Sequence, residues 1–112
     1  MFGARFENFV AGHLLKYCHF LEDTAGERME LRFLRDVEKR EIDFVVLKNK
    51  KPLFAVECKT GEKRLAEHIP YFKARTPIKA FFQVHLGTRD FSPDAGVRVL
   101  PFATFSKELG LV

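Results

Sequence analysis

Apolar residues recur at Phe2, Phe6, Phe9, Val10, Leu14, Tyr17 and Leu21, a spacing of three and four that predicts an amphipathic helix over FGARFENFVAGHLLKYCHFLED. No N-capping residue precedes Phe2, so the expectation is a segment cut from a longer polypeptide. After Asp23 to Gly26 the period changes to two. MELRFLRD alternates as a strand with Leu31, Phe33 and Arg35 on one face, and IDFVVLK and LFAVECK are rich enough in β-branched and aromatic residues to be two more. Lys48 to Pro52 is read as the turn of a hairpin between them, a loop of about five residues. A helix is expected from about Leu65 to Arg75, with Pro70 limiting its first turn or kinking it. IKAFFQVHL reads as a fourth strand, and VRVLPFATFSKELGLV as a short strand, a proline break and a C-terminal helical turn. No repeat, linker or low-complexity tract interrupts this order, so residues 1–112 are expected to form one domain.

Two carboxylates break this apolar pattern. Side chains alternate across a strand, which puts Glu41, Asp43, Val45 and Leu47 on one face, and Leu53, Ala55, Glu57 and Lys59 on one face of the next strand. The hairpin register then sets Asp43 opposite Glu57. Opposed positions hold their Cβ atoms roughly 4.5–5.5 Å apart, and two ionised carboxylates at about 5 Å repel by roughly 3 kcal/mol at an effective dielectric near 20. A cation is needed to compensate, and a divalent metal ion is the natural one. The plainer account is a structural charge cluster in which Lys59 and Arg40 neutralise acids at a sheet end. Glu41, opposite Lys59 in this register, is expected to pair with that lysine.

Composition narrows the function classes. With 46% hydrophobic residues and 13 Phe, the chain can bury one real core. No apolar run approaches the roughly 20 residues that cross a bilayer, and the N-terminus lacks a signal-peptide layout, so a soluble cytoplasmic protein is expected. Cys18 and Cys58 lie in apolar patterns without metal-ligand spacing and read as reduced core thiols. His13, His19, His68 and His85 are scattered and form no ligand set. The net charge of +4 suits a polyanionic partner without requiring one. Lys48, Lys50 and Lys51 sit at the turn end of the hairpin and read as solubilising charges. Lys63 and Arg64 follow the acidic motif directly and are the candidates to touch a phosphate backbone, the alternative being a solvated helix start. Gln83 could face the site but is not assigned to it.

The order helix, three antiparallel strands, helix, strand, together with D-x13-E-x-K at Asp43, Glu57 and Lys59, resembles the PD-(D/E)XK nuclease superfamily. The wording ARFENFVAGHLLK, FLRDVEKREIDFVV, FAVECKTG and VRVLPFATF is most similar, within it, to the C-terminal domain of unknown function that follows an AAA-type ATP-binding module in many prokaryotic proteins. The resemblance implies an α/β fold with a restriction-endonuclease-like αβββαβ core, a mixed central sheet flanked by helices. It implies that Asp43 is a metal-ligating Asp, Glu57 and Lys59 the second motif, and Glu7 the acid that several branches carry on the first helix. Ile42 stands where the eponymous proline would be. The chain contains no G-x-x-x-x-G-K-[ST], so an ATPase module would lie elsewhere in the same polypeptide.

Two functions follow from these residues. In the first, a Mg²⁺-dependent (or Mn²⁺-dependent) nuclease hydrolyses phosphodiester bonds in DNA or RNA. Asp43, Glu57 and the main-chain carbonyl of Cys58 would hold the ion, Lys59 would position the attacking water or meet the developing charge, and Glu7 would bind a metal-linked water or a second ion. In the second, the domain is a non-catalytic nucleic-acid-binding or docking module of the ATPase.

Overall fold

The computed structural model describes residues 2–62 and 64–110. Among them the elements run α1 (Phe2–Ala25), β1 (Met29–Arg35), β2 (Glu41–Lys48), β3 (Lys51–Cys58), α2 (His68–Arg75), β4 (Phe81–His85), β5 (Phe91–Asp94), β6 (Val97–Pro101) and α3 (Phe102–Leu109). The described strands make one mixed six-stranded sheet in the order β1-β2-β3-β4-β6-β5. β1, β2 and β3 are antiparallel neighbours, β4 runs parallel to β3 and to β6, and β5 closes the far edge antiparallel to β6. Because β3 and β4 are parallel, the chain must cross the sheet between them, and α2 makes that crossing.

Each sheet face has its own core. Phe6, Val10, Leu14 and Cys18 lie four residues apart on α1 and are all buried, so that helix lays one stripe on Val46, Phe54 and Val56. Phe54 anchors this side, its ring 6.0 Å from those of Tyr17 and Phe105 and 5.7 Å from that of Phe82. The second face is smaller: Ile69 and Phe72 of α2 cover Ile42, Val45, Ala55, Phe81 and Val97. Covered on both sides, β3 is buried without interruption from Phe54 to Glu57.

Three local expectations are corrected. The β2–β3 hairpin turns on two residues, Asn49 and Lys50, instead of five. Both have positive φ, 53° and 68°, as a type I′ turn demands, and Asn49 is fastened further by accepting the Arg28 N–H (3.0 Å) and donating to Glu27 (2.6 Å). Lys51 and Pro52 therefore belong to β3, with a register shift between Val46 and Leu47 absorbing the proline. Helix α2 begins at His68 and not at Leu65, because the backbone of residues 64–66 is bonded elsewhere. Pro70 falls in its first turn, where a missing N–H leaves no intrahelical bond unmade.

Candidate functional site

At the end of the β2–β3 hairpin away from the turn, side chains take over from the backbone ladder. The paired register ends at Phe44↔Val56, with Asp43 and Glu57 next on the two strands. There the Asp43 N–H donates to Glu57 Oε1 at 3.0 Å, and the Cys58 N–H donates to Asp43 Oδ2 at 2.9 Å. One oxygen of each carboxylate is thus tied to main chain.

Simple alternation does not place Asp43 here, which corrects the assignment of Glu41, Asp43, Val45 and Leu47 to one face. Arg32 pairs with Val45 and Leu34 with Ile42, so β2 carries one more residue than β1 across this stretch, a β-bulge at Asp43-Phe44. Beyond the bulge Ile42 joins Val45 in the core under α2, while Phe44 packs with the core under α1. Asp43 is freed from both cores and meets Glu7, which α1 presents half-buried at the border of its apolar stripe.

Glu7, Asp43 and Glu57 lie within hydrogen-bonding reach in a chain, with Asp43 in the middle. Burial pushes the Asp43 carboxyl up to about 6, and the charge of Glu57 adds to this against the pull of the Cys58 N–H. Glu57, only 8% exposed, is also raised, first by burial, although the Asp43 N–H and the Lys59 charge favour its anion. Glu7 is raised by burial and by Asp43. All three acids are thus held toward their protonated forms, first by burial and then by one another. Cys58 is a free, half-buried thiol pushed up by burial and by the same three acids, which makes it a poor nucleophile; Cys18 is free and buried.

The acids form one wall of an open cleft of about 1280 Å³, which Lys59, Thr60, Gly61, Glu62, Arg64, Glu67, His68 and Gly87 also line. Arg64 is exposed in it; Lys63 lies outside the described residues. Glu41 reaches the cleft but pairs with Arg35 (Nε to Oε2, 3.0 Å), not with Lys59 as expected. Arg40, the other proposed neutraliser, is engaged with Asp36 and Glu38 and stacks on Tyr71 at 3.9 Å. Of the turn lysines, Lys48 approaches Glu27 at 3.7 Å, at the opposite end of the hairpin.

Three residues that shape the cleft were not assigned from the sequence. Gln83, fully buried on β4 beside Glu57, accepts the Ala66 N–H (2.7 Å) and donates to the Arg64 carbonyl (2.6 Å), which fastens the Arg64 loop to the sheet. His85, fully buried two residues on, uses both ring nitrogens on the loop after β4: Nδ1 accepts the Gly87 N–H (2.9 Å) and Nε2 donates to the Arg89 carbonyl (2.8 Å). Glu62 bridges the two loops through the Thr88 N–H at 2.6 Å. A polar pair at alternate positions of an otherwise apolar strand was the available signal.

The hard carboxylate oxygens of Asp43 and Glu57, oriented by main-chain N–H groups with Glu7 beside them, fit a hard divalent cation completed by main-chain oxygen and water. Among the described residues, no three His, Cys, Asp or Glu side chains stand as a ready ligand set, so protein side chains would supply only part of the shell. No described helix is long and apolar enough to cross a membrane.

The chain matches the family of a domain of unknown function, DUF4143, over residues 2–105. No curated protein and no solved structure matches it.

Proposed function

We propose, for a chain that belongs to the DUF4143 family, that the acidic cleft is the active site of a metal-dependent nuclease hydrolysing phosphodiester bonds in DNA or, as second choice, RNA. The observation that carries this reading is the Asp43–Glu57 pair, two adjoining carboxylates each oriented by a main-chain N–H, with Glu7 beside them. Supporting it is the element order αβββαβ from α1 to β4, which is that of a restriction-endonuclease-like core. Asp43, Glu57 and the Cys58 carbonyl would hold Mg²⁺ or Mn²⁺, and Glu7 a water or second ion beside them. The bound ion would supply Lewis-acid polarisation of the phosphoryl oxygen and a lowered pKa for a water. Lys59, just past the end of β3 and close enough to Glu57 to favour its anion, would orient the attacking water or meet the charge developing on the phosphate. Arg64, and Lys63 beside it in sequence, would hold the strand by its phosphates. The same polypeptide would carry an AAA-type ATPase module.

A second reading has its own support. Glu7, Glu41, Asp43, Glu57, Glu62 and Glu67 line the cleft against Lys59 and Arg64 among the described residues, a balance that suits a cationic partner segment and a docking module. Calorimetry with Mg²⁺ or Mn²⁺, run beside nicking of plasmid and branched DNA, separates the two. The nuclease reading expects metal binding, and cleavage that Lys59→Ala lowers by about a hundred- to a thousandfold with little change in DNA binding. DNA binding that weakens steeply with salt, yet shows no Lys59-dependent cleavage, replaces the enzyme with a non-catalytic nucleic-acid-binding module, and the absence of both metal and DNA binding leaves the docking module.

A further inference from the structure

The bridge between the two loops of the cleft has the form of an anion seated in a binding site. Glu62 Oε2 accepts the Thr88 N–H at 2.6 Å, the Arg89 N–H points at the same oxygen from 3.5 Å, and His85 Nδ1 lies 3.8 Å away. Its donors are main-chain groups. His85 Nδ1 accepts the Gly87 N–H, and among the described residues no lysine or arginine makes an ion pair with Glu62, although the Arg89 charge favours its anion. The Thr88 N–H first, then the Arg89 N–H, with nearby positive charge adding, hold the Glu62 carboxyl below its ordinary range, so what they receive is an anion.

Gly87 makes the room. A Cβ there would fall on the Glu62 carboxylate, yet Gly87 is not among the glycines with positive φ. Its missing side chain therefore serves space and not backbone conformation. Consecutive main-chain N–H groups around a glycine receive carboxylate and phosphate alike, and phosphate brings more oxygens to them. The segment opens on the cleft that holds Asp43, Glu57 and Lys59, where a bound strand would carry phosphates on either side of the one attacked.

We propose that Gly87–Arg89 is a phosphate-binding subsite for a nucleic-acid strand and that Glu62 occupies it when no strand is bound. The proposal rests on the nucleic-acid reading of the cleft. Glu62 then acts as an internal competitor, and a strand must displace it to seat fully.

The test is fluorescence anisotropy of a labelled single-stranded DNA at low salt, with Ca²⁺ in place of Mg²⁺, on the purified chain. Glu62→Ala should bind roughly tenfold tighter, the scale of one lost competing charge-assisted hydrogen bond. Gly87→Ala puts a methyl group where the anion sits and displaces only the flexible end of Glu62. It should show no gain, and the double variant should bind no better than Gly87→Ala. If melting shows that Glu62→Ala loosens the loops, Glu62→Gln carries the same test with a smaller gain, since it keeps an acceptor for Thr88. An affinity unchanged or weakened in the Glu62 variants overturns the subsite, as does the absence of DNA binding in every variant. So does a double variant as tight as Glu62→Ala, which would make the gain a general charge effect. Cleavage by the wild type in Mg²⁺ is read separately: if it is absent while the Glu62 gain appears and Gly87→Ala removes it, the enzyme reading fails and the subsite stands.

Discussion

The two ends of the β2–β3 hairpin are built on opposite plans. At the turn end the backbone does the work: Lys48 faces Lys51 across a two-residue turn whose positive φ angles at Asn49 and Lys50 match the twist of the strands. Its charges are exposed or lie near a partner and answer to solvent. At the open end a bulge breaks the alternation, and two carboxylates, Glu57 buried and Asp43 half-buried, accept the N–H groups that a regular ladder would bond to carbonyls. One end is basic and exposed to solvent, the other acidic and withdrawn from it. The difference indicates that the open end is not arranged for stability alone, since a hairpin so short could have been closed at both ends by ordinary pairing.

Substitutions can break or sharpen that contrast. The largest effect is expected on ligand binding: Asp43→Ala should lower Mn²⁺ affinity, measured by calorimetry, by about a hundredfold or more while the chain stays folded. Unchanged affinity in both Asp43→Ala and Glu57→Ala would remove the metal from the site. The next concerns stability. Asp43→Asn keeps an acceptor for the Cys58 N–H and removes the repelled charge, so near pH 8 its melting temperature should rise by several degrees, about 4 °C for each kcal/mol in a chain of this size.

The pH dependence of that gain has a definite sign. A folded-state value of about 6 against an ordinary 3.8 means that the folded chain binds more protons between those values. Stability is therefore lost as pH rises from below 3.8 through about 6, and the raised Glu7 and Glu57 act in the same direction. The advantage of Asp43→Asn should shrink toward about pH 5, where Asp43 is mostly protonated already; calorimetric melting at both pH values checks this, and an equal gain at both would mean that the charge of Asp43 is not what strains the open end. The smallest effect belongs to the turn. Lys50→Gly removes a left-handed non-glycine residue and should stabilise by about 0.5–1 kcal/mol in denaturant melts, with Mn²⁺ affinity unchanged.

Much of this was legible because periodicity reports burial. The three-and-four spacing from Phe6 to Leu21 marked α1, and the β-branched runs marked β2 and β3. The opposition of Asp43 and Glu57 was also readable, although through a turn assigned too long: the two-residue turn and the register shift at Pro52 compensate, so the far ends of the strands still meet. The bulge was not readable, because the sequence EIDFVV alternates acceptably in either frame and only the pairing with β1 shows the extra residue. Glu7 was within reach from a helical wheel. Glu62 was not, since its partners are main-chain N–H groups 26 and 27 residues away, which leave no trace in side-chain pattern.

Gln83 has a wider bearing on how the cleft moves. Its amide spends one atom on Ala66 and the other on Arg64, and it does so from the middle of the sheet with no exposure. Irregular loops usually open independently of the core, at low free energy, but opening this stretch would strand a buried acceptor and donor at about 1–3 kcal/mol each. The wall that carries Arg64 therefore belongs to the same cooperative unit as β4. Amide exchange at Ala66 should follow the slow strands beneath it, so that a ligand entering the cleft meets a surface already ordered and loses little conformational entropy in shaping it.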